Sequence, residues 1–406
     1  MSESNKPTKF REGPFTYHQE VEVEIATLTN LGDGLGRVNG WVVFVAGALP
    51  GEKVVVKIWH NAANYSRGDL LRVLVPSPHR VQPRCELFGE CGGCQYQNMA
   101  YPEQLEWKRK QVQEVYERIG GMKITIEACH PSPKQYGYRS KITPHFLSPK
   151  RADFPIGFLA TGTSRRIVDV AKCPIATEAI NSAYTRARKE IRSQPGQFER
   201  GATLLFRECE EGVVSDPRQT VTEKVGKIKL KFLAGEFFQN NPSVLEHFVS
   251  HAINLAKGSG AKHLVDTYCG SGLFAISGAR DFESVNGIEV SAEAARKAAE
   301  NATLNGLTNC RFIAGSAESI FKNIAIRGPE AAVIVDPPRR GCDESFLTQL
   351  NQFNPRRIVY ISCAPDTQAR DLKFLTQLGW KVISAKPFDL FPQTRHIECI
   401  AALEKA

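Results

Sequence analysis

A cysteine at the end of an apolar run is the first feature with chemical consequence. Ile358-Val-Tyr-Ile-Ser362 leads into Cys363, with Ala364-Pro365-Asp366 behind it. That is the pattern of a buried strand delivering a thiol at its carboxyl end, where open α/β sheets have their crevice. A thiolate there is a nucleophile. On a pyrimidine, its attack on carbon 6 makes carbon 5 enolate-like, and a base must then remove the carbon 5 proton before the thiolate leaves. The segment Phe391-Pro392-Gln-Thr-Arg395-His396-Ile-Glu398 supplies candidates for that base. The period of two places Glu398 and His396 on one face of a final strand.

Asp266-Thr-Tyr-Cys-Gly270-Ser-Gly272 follows another apolar run and opens a helix, so its glycines let a nucleotide-like ligand approach the backbone closely. The next strand ends in Gly287-Ile-Glu289, a carboxylate about 20 residues on that suits ribose hydroxyls. A dehydrogenase shares this logic but uses G-x-G-x-x-G, whereas here the third glycine is displaced to Gly278. A seventh strand at the C-terminus favours an S-adenosylmethionine-dependent methyltransferase sheet instead. The fourth strand ends in Asp336-Pro-Pro-Arg339-Arg340-Gly, an acidic turn expected to face donor and target base.

Three further thiols lie close together in Cys85-x5-Cys91-Gly-Gly-Cys94, with two glycines that let the backbone curl so that Cys91 and Cys94 face one metal centre. Cys173, followed by a proline, is the candidate fourth ligand. Four thiolates suit zinc or an iron-sulfur cluster, and spacing alone separates the two poorly.

These groups need elements to position them. The chain has 406 residues, room for about two to four domains. Seven strand candidates at α/β spacing, His263 to Tyr268, Val285 to Val290, Arg311 to Ala314, Ala331 to Val335, Arg357 to Ile361, Lys381 to Ala385 and Ile397 to Leu403, predict a doubly wound domain over 236–406. A flexible polar tail is expected at 1–17, and short β segments punctuated by glycines predict a small barrel over 18–78. A mixed α+β central domain is expected over 79–235, with a helix from Pro102 to Ile119. The formal charge is +9, and residues 131–200 hold 13 lysines and arginines against five acids. This basic segment, with Tyr136, Tyr138, His145 and Phe146 interleaved, fits a nucleic-acid phosphate footprint or a solvated face. No apolar run reaches the roughly 20 residues that cross a bilayer, and the polar start lacks a signal core. A cytoplasmic location with no membrane partner is expected, and nothing points to an obligate protein partner.

The stretch Gly32-Asp-Gly-Leu-Gly-Arg-Val followed by Val42-Val-Phe-Val-Ala-Gly-Ala-Leu-Pro-Gly-Glu resembles the TRAM domain, an oligonucleotide-binding-type barrel appended to RNA-modifying proteins. Taken together, the motifs resemble the RNA uracil-C5-methyltransferases, specifically the iron-sulfur, TRAM-bearing branch that modifies 23S ribosomal RNA. The resemblance implies a class I S-adenosylmethionine methyltransferase sheet and a 4Fe-4S cluster on Cys85, Cys91, Cys94 and Cys173. It also implies Cys363 as nucleophile and Glu398 as base. Donor contacts are implied at Gln239, Tyr268, Glu289, Asp336, Ser316 and Leu273, beside Gly270 and Gly272, and Arg139 and Lys141 match a basic motif that meets RNA. Departures are Ala364, Asp266-Thr-Tyr268 and Gln393, where the family more often has asparagine, aspartate-leucine-phenylalanine and histidine. Transfer RNA is the alternative target, and a non-catalytic RNA-binding protein and a cytosine methyltransferase are the rival classes.

Overall fold

The computed structural model describes residues 10–148, 154–315, 321 and 324–405. They form two compact units. One comprises residues up to Trp107 with Phe158–Val170 and Gln393–Arg395; the other comprises Lys108–Gly157, Ala171–Pro392 and His396 onward.

In the first unit, Glu20–Leu28, Asp33–Val38, Trp41–Ala46, Lys53–Asn61 and Tyr65–Val75 close into a five-stranded barrel. Inward residues such as Val23, Val43, Val45, Val54 and Val56 alternate with outward ones and fill it. The strand Asp33–Val38 is absent from the sequence expectation because its glycines read as turns. At Gly36 any side chain would run into the Glu24 carbonyl and Val23 of the paired strand, so the glycine serves close approach within a strand. After the barrel, the chain around the clustered cysteines forms turns. Cys91 N–H donates to the Leu87 carbonyl (2.9 Å), Gly92 N–H to Leu159 (2.9 Å), and Gln95 and Tyr96 N–H both to Gln393 (3.1 and 3.0 Å). Gln393 takes a positive φ of 70°, and its side-chain oxygen accepts from Gln104 (3.0 Å).

The second unit is built on a seven-stranded sheet in the order Cys310–Ala314, Ser284–Glu289, His263–Thr267, Ala331–Val335, Arg357–Ser362, Glu398–Lys405, Trp380–Phe388. The first five run parallel, and Glu398–Lys405 is antiparallel to both neighbours. Helices cover both faces, so the strands are apolar on both sides. Within Arg357–Ser362, Val359 and Ile361 join a core with Phe248 and Phe274, while Ile358 and Tyr360 join another with Phe346 and Leu372. Chain order reverses between His263–Thr267 and Ala331–Val335, the switch point at which such sheets open a ligand crevice. Upstream, the helix Glu178–Ser193 is capped by Thr177, whose side chain accepts from Ile180 N–H. The strands Thr220–Val225 and Ile228–Leu233 form a hairpin. Among the described residues no helix is long and apolar enough to cross a membrane.

Candidate active site

The strand His263–Thr267 ends in a sharp loop: Tyr268, Gly270 and Gly272 take φ of 69°, 53° and 96° before the helix Leu273–Gly278 begins. A side chain on Gly272 would meet Ile276 at 2.7 Å, whereas the space beside Gly270 is open. Glu289, at the end of the neighbouring strand, holds this loop from across: its carboxylate accepts from Gly270 N–H (3.0 Å) and Ser291 N–H (3.0 Å). Each oxygen keeps acceptor capacity for a ligand hydroxyl. Asp266 accepts from Ala275 N–H (2.8 Å) through one oxygen. Its other oxygen, and that of the Gln239 amide, are buried with no partner among the described residues. Burial, reinforced by Asp336 and Glu289, pushes the Asp266 carboxyl well above its usual range.

A cavity of ≈ 790 Å³ opens here, lined by Tyr268, Ile288, Glu289, Val290 and Gly315 and reaching Cys342 and Arg370. Val290 is 76% exposed, an apolar face offered to a ring. Open space at Gly270, unpartnered buried oxygens and a fixed carboxylate fit an adenosine-bearing methyl donor. Ser316 lies outside the described residues. Leu273 opens the helix after the glycine loop.

The two expected reacting groups meet through strand register. Ser362 pairs with Cys399 in the antiparallel ladder, so the next step brings Cys363 opposite Glu398. Gln368, in the first turns of the helix Pro365–Gln377, donates to both the Tyr360 carbonyl (3.0 Å) and the Cys399 carbonyl (3.1 Å). One buried amide thereby ties together the strands that carry the thiol and the acid. Tyr116 donates to the same amide's oxygen (2.8 Å). The buried Lys108 donates to Asp389 (2.6 Å) and to the Phe391 carbonyl (3.2 Å), fixing the chain on its way to Glu398.

Electrostatics link Cys363, Glu398, Asp336 and Arg339. Burial raises the Cys363 thiol to about 11; Glu398 and Asp336 add to the rise, and Arg339 opposes it by charge and by hydrogen bonding. Burial, then Asp336, drives Glu398 well above the usual carboxylate range, against the pull of Arg339. Asp336, at the mouth of the Ala331–Val335 strand, is raised to about 7 by burial.

Three expectations change. His396 precedes the final strand, which starts at Glu398, so the two do not share a strand face. Its Nδ1 instead lies 3.0 Å from the Arg339 guanidinium. Lys141 turns inward: its ammonium donates to the carbonyls of Gly235 (3.2 Å) and Glu236 (3.1 Å). Burial, with Arg207 and Arg139 nearby, lowers it to about 8. Arg139 donates to the Lys141 carbonyl (3.0 Å). Lys141 thus braces the segment that leads into Gln239, while Arg139 fixes the turn of its own segment. Among the described residues, no group of three or more histidine, cysteine, aspartate or glutamate side chains is placed to hold a metal ion. Sequence reasoning missed Arg339 and Gln368. The former had a signal in its place three residues after Asp336, while the latter is an ordinary helix residue with none.

Residues 216–406 match the model of the tRNA (Uracil-5-)-methyltransferase family, and residues 15–71 match the TRAM domain. A tRNA (uracil(54)-C(5))-methyltransferase of Schizosaccharomyces pombe is 41% identical over 97% of this chain and 79% of its own length. The chain belongs to the RNA uracil-5-methyltransferase family. It is an S-adenosylmethionine-dependent RNA (uracil-C5)-methyltransferase. A Saccharomyces cerevisiae relative with the same description is 35% identical over 97% of this chain and 75% of its own length. The crystal structure of Pyrococcus abyssi tRNA (uracil-54, C5)-methyltransferase in complex with S-adenosyl-L-homocysteine superposes with a TM-score of 0.74. It is 25% identical, covering 94% of this chain and 100% of that one.

Proposed function

We propose that this methyltransferase acts on a transfer RNA uridine at the position its relatives are named for, uridine 54, with Cys363 as nucleophile and Glu398 as base. The observation that supports the catalytic assignment is the Ser362–Cys399 pair that ends the ladder, one residue before Cys363 and one after Glu398 at the same end of adjacent strands. The Cys363 thiolate forms a bond to carbon 6, and the ring's double-bond electrons move towards the carbonyl oxygen, making carbon 5 the nucleophile. The donor, when bound, supplies an electrophilic sulfonium methyl. The Glu398 carboxylate then takes the carbon 5 proton, the double bond re-forms and the carbon–sulfur bond to Cys363 breaks. Burial and Asp336 raise the Glu398 carboxyl, so its carboxylate is a stronger base than an ordinary glutamate. Gln239, Tyr268, Gly270, Gly272, Glu289, Ser316 and Asp336 are the donor-binding set in this reading, and Arg139 belongs to the RNA side.

The transfer RNA target rests on the two yeast relatives and the archaeal structure, and it replaces the 23S ribosomal RNA target that the motifs alone favoured. Two sets of transcripts decide it. Methylation of a transfer RNA at uridine 54, with none of 23S fragments, is the expected result, and the reverse pattern overturns it. A 4Fe-4S cluster on Cys85, Cys91, Cys94 and Cys173 stands on the family resemblance alone, and no step of the reaction passes through it. Iron and inorganic sulfide in anaerobically purified protein are expected. Zinc alone, or neither metal, removes the cluster from the reading. A cytoplasmic site of action follows from the RNA substrate.

A further inference from the structure

We infer that His396 is a positioning residue: a neutral imidazole whose Nδ1 lone pair aims the Arg339 guanidinium at the Cys363 sulfur. The inference rests on the reading of Cys363 as the reactive thiol.

Donor and acceptor capacity alone fix the state of the ring. An arginine side chain has five N–H donors and no acceptor and keeps its charge in proteins. The 3.0 Å contact between Arg339 Nη2 and His396 Nδ1 is therefore a hydrogen bond only if Nδ1 is unprotonated, which places the ring proton on Nε2. An imidazole held this way has no Nδ1 lone pair left to take a proton from substrate. That separates it from Glu398, with which sequence periodicity had grouped it.

What the contact achieves follows from where Arg339 sits. Its backbone is anchored by the helix that follows Cys363: Thr367 Oγ1 donates to the Arg339 carbonyl (3.1 Å). Arg339 is exposed to solvent, and long arginine side chains lose considerable rotamer entropy when held in one geometry. His396, packed edge-on against Phe391 with ring centroids 5.9 Å apart, supplies a fixed acceptor for that side chain. Among the described residues, the groups that bear most on Cys363 are the Arg339 guanidinium and the carboxyl groups of Glu398 and Asp336. An unaimed Arg339 would leave the thiol facing two carboxyls and a buried surround, all of which favour the neutral form. The imidazole thus raises the thiolate fraction while touching neither sulfur nor substrate.

The test measures the thiol directly, on the full chain without donor or RNA, so that it does not depend on methyl transfer. Iodoacetamide labelling of Cys363, resolved by peptide mass spectrometry across pH 7 to 10, gives the thiolate profile. In His396→Ala the profile should move to higher pH with a labelling rate at fixed pH lower by roughly tenfold, the consequence of about one pK unit. The kcat of the methylation reaction should fall by a similar factor with the donor KM unchanged. His396→Asn, whose side-chain oxygen lies near the position of Nδ1 and can only accept there, should restore both. A His396→Ala profile that overlays the wild type overturns the inference. So does an Asn variant that behaves as Ala does. Accumulation of a covalent protein–RNA adduct in His396→Ala would instead make His396 the base. A shifted labelling profile with the kcat of methylation unchanged would count against the nucleophile reading and leave the positioning role standing.

Discussion

Cys363 and Glu398 sit at the ends of adjacent strands in a seven-stranded sheet, whereas Cys85, Cys91 and Cys94 sit on turns joined to their surroundings by single bridges and isolated backbone bonds. The sheet positions its reacting groups by register: once Ser362 pairs with Cys399, the next residues must face each other. Turns carry no such rule. The position of a thiol on a turn depends on every φ and ψ before it, so the same residue type is placed by geometry in one region and by local detail in the other.

The comparison breaks most simply at the nucleophile. Cys363→Ala should bring methyl transfer below about 1% of wild type while donor binding, followed by calorimetry, stays intact, because the thiolate activates the base and does not hold the donor. Residual turnover above that level would return the strand-end cysteine to the core. Glu398→Gln should behave differently. Methyl transfer precedes proton removal, so a methylated protein–RNA adduct should build up and migrate slowly on a denaturing gel. Free methylated RNA with no such band would reassign the base. On the cysteine side, serine at Cys85, Cys91, Cys94 or Cys173 should lower bound iron and folding yield while leaving the reacting groups in register. Full iron content in all four variants would detach these thiols from any metal.

How far the sequence discloses these placements depends on which physical rule sets them. All seven sheet strands are legible; the central ones, Ala331–Val335 and Arg357–Ser362 above all, are apolar runs buried on both faces, while the edge strands Cys310–Ala314 and Trp380–Phe388 are only partly buried. Asp33–Val38 was illegible because a glycine needed for close strand packing carries the same letter as one needed for a turn. Charge and motif make Lys141 a phosphate contact, yet its ammonium serves two carbonyls, and nothing in the sequence announces that direction. Periodicity misplaced His396 since the final strand begins two residues later than the alternation implies. Gln368 has no sequence signal at all: its double hydrogen bond depends on two strands distant in the chain.

The chain that leads from Trp380–Phe388 to Glu398 offers a stability test of the same contrast. Lys108 and Asp389 are fully buried partners, and removing one member of such a pair leaves an uncompensated charge. Lys108→Met should cost about 3–5 kcal/mol. The exposed pair Lys257–Asp281, also 2.6 Å apart, should lose less than about 1 kcal/mol in Lys257→Met. Urea unfolding of both variants measures the difference. Equal losses would mean that Lys108 is not what holds this segment.

The smallest expected effect is a pH dependence of donor affinity at Asp336. Burial raises this carboxyl from 3.8 to about 7, so the folded state favours its neutral form. Its contribution to stability is complete below the unfolded value near 4 and is lost as pH rises through about 7. A donor bearing a sulfonium and an ammonium group reverses that preference, because a nearby cation favours the carboxylate. Binding should therefore release a proton between about pH 5 and 7, with affinity rising up to about tenfold per pH unit over that window and levelling above it. Glu223, also buried and raised to about 7, shares the stability trend but touches none of the cavity-lining residues named here, so it should affect unfolding and not donor affinity. Asp336→Asn separates the two. Calorimetry at pH 5.5, 6.5 and 7.5 should show weaker binding with a flat pH profile in this variant, while its thermal stability keeps the part of the pH dependence that belongs to Glu223. A wild-type affinity that does not change across the window would mean that Asp336 never faces the donor's charge.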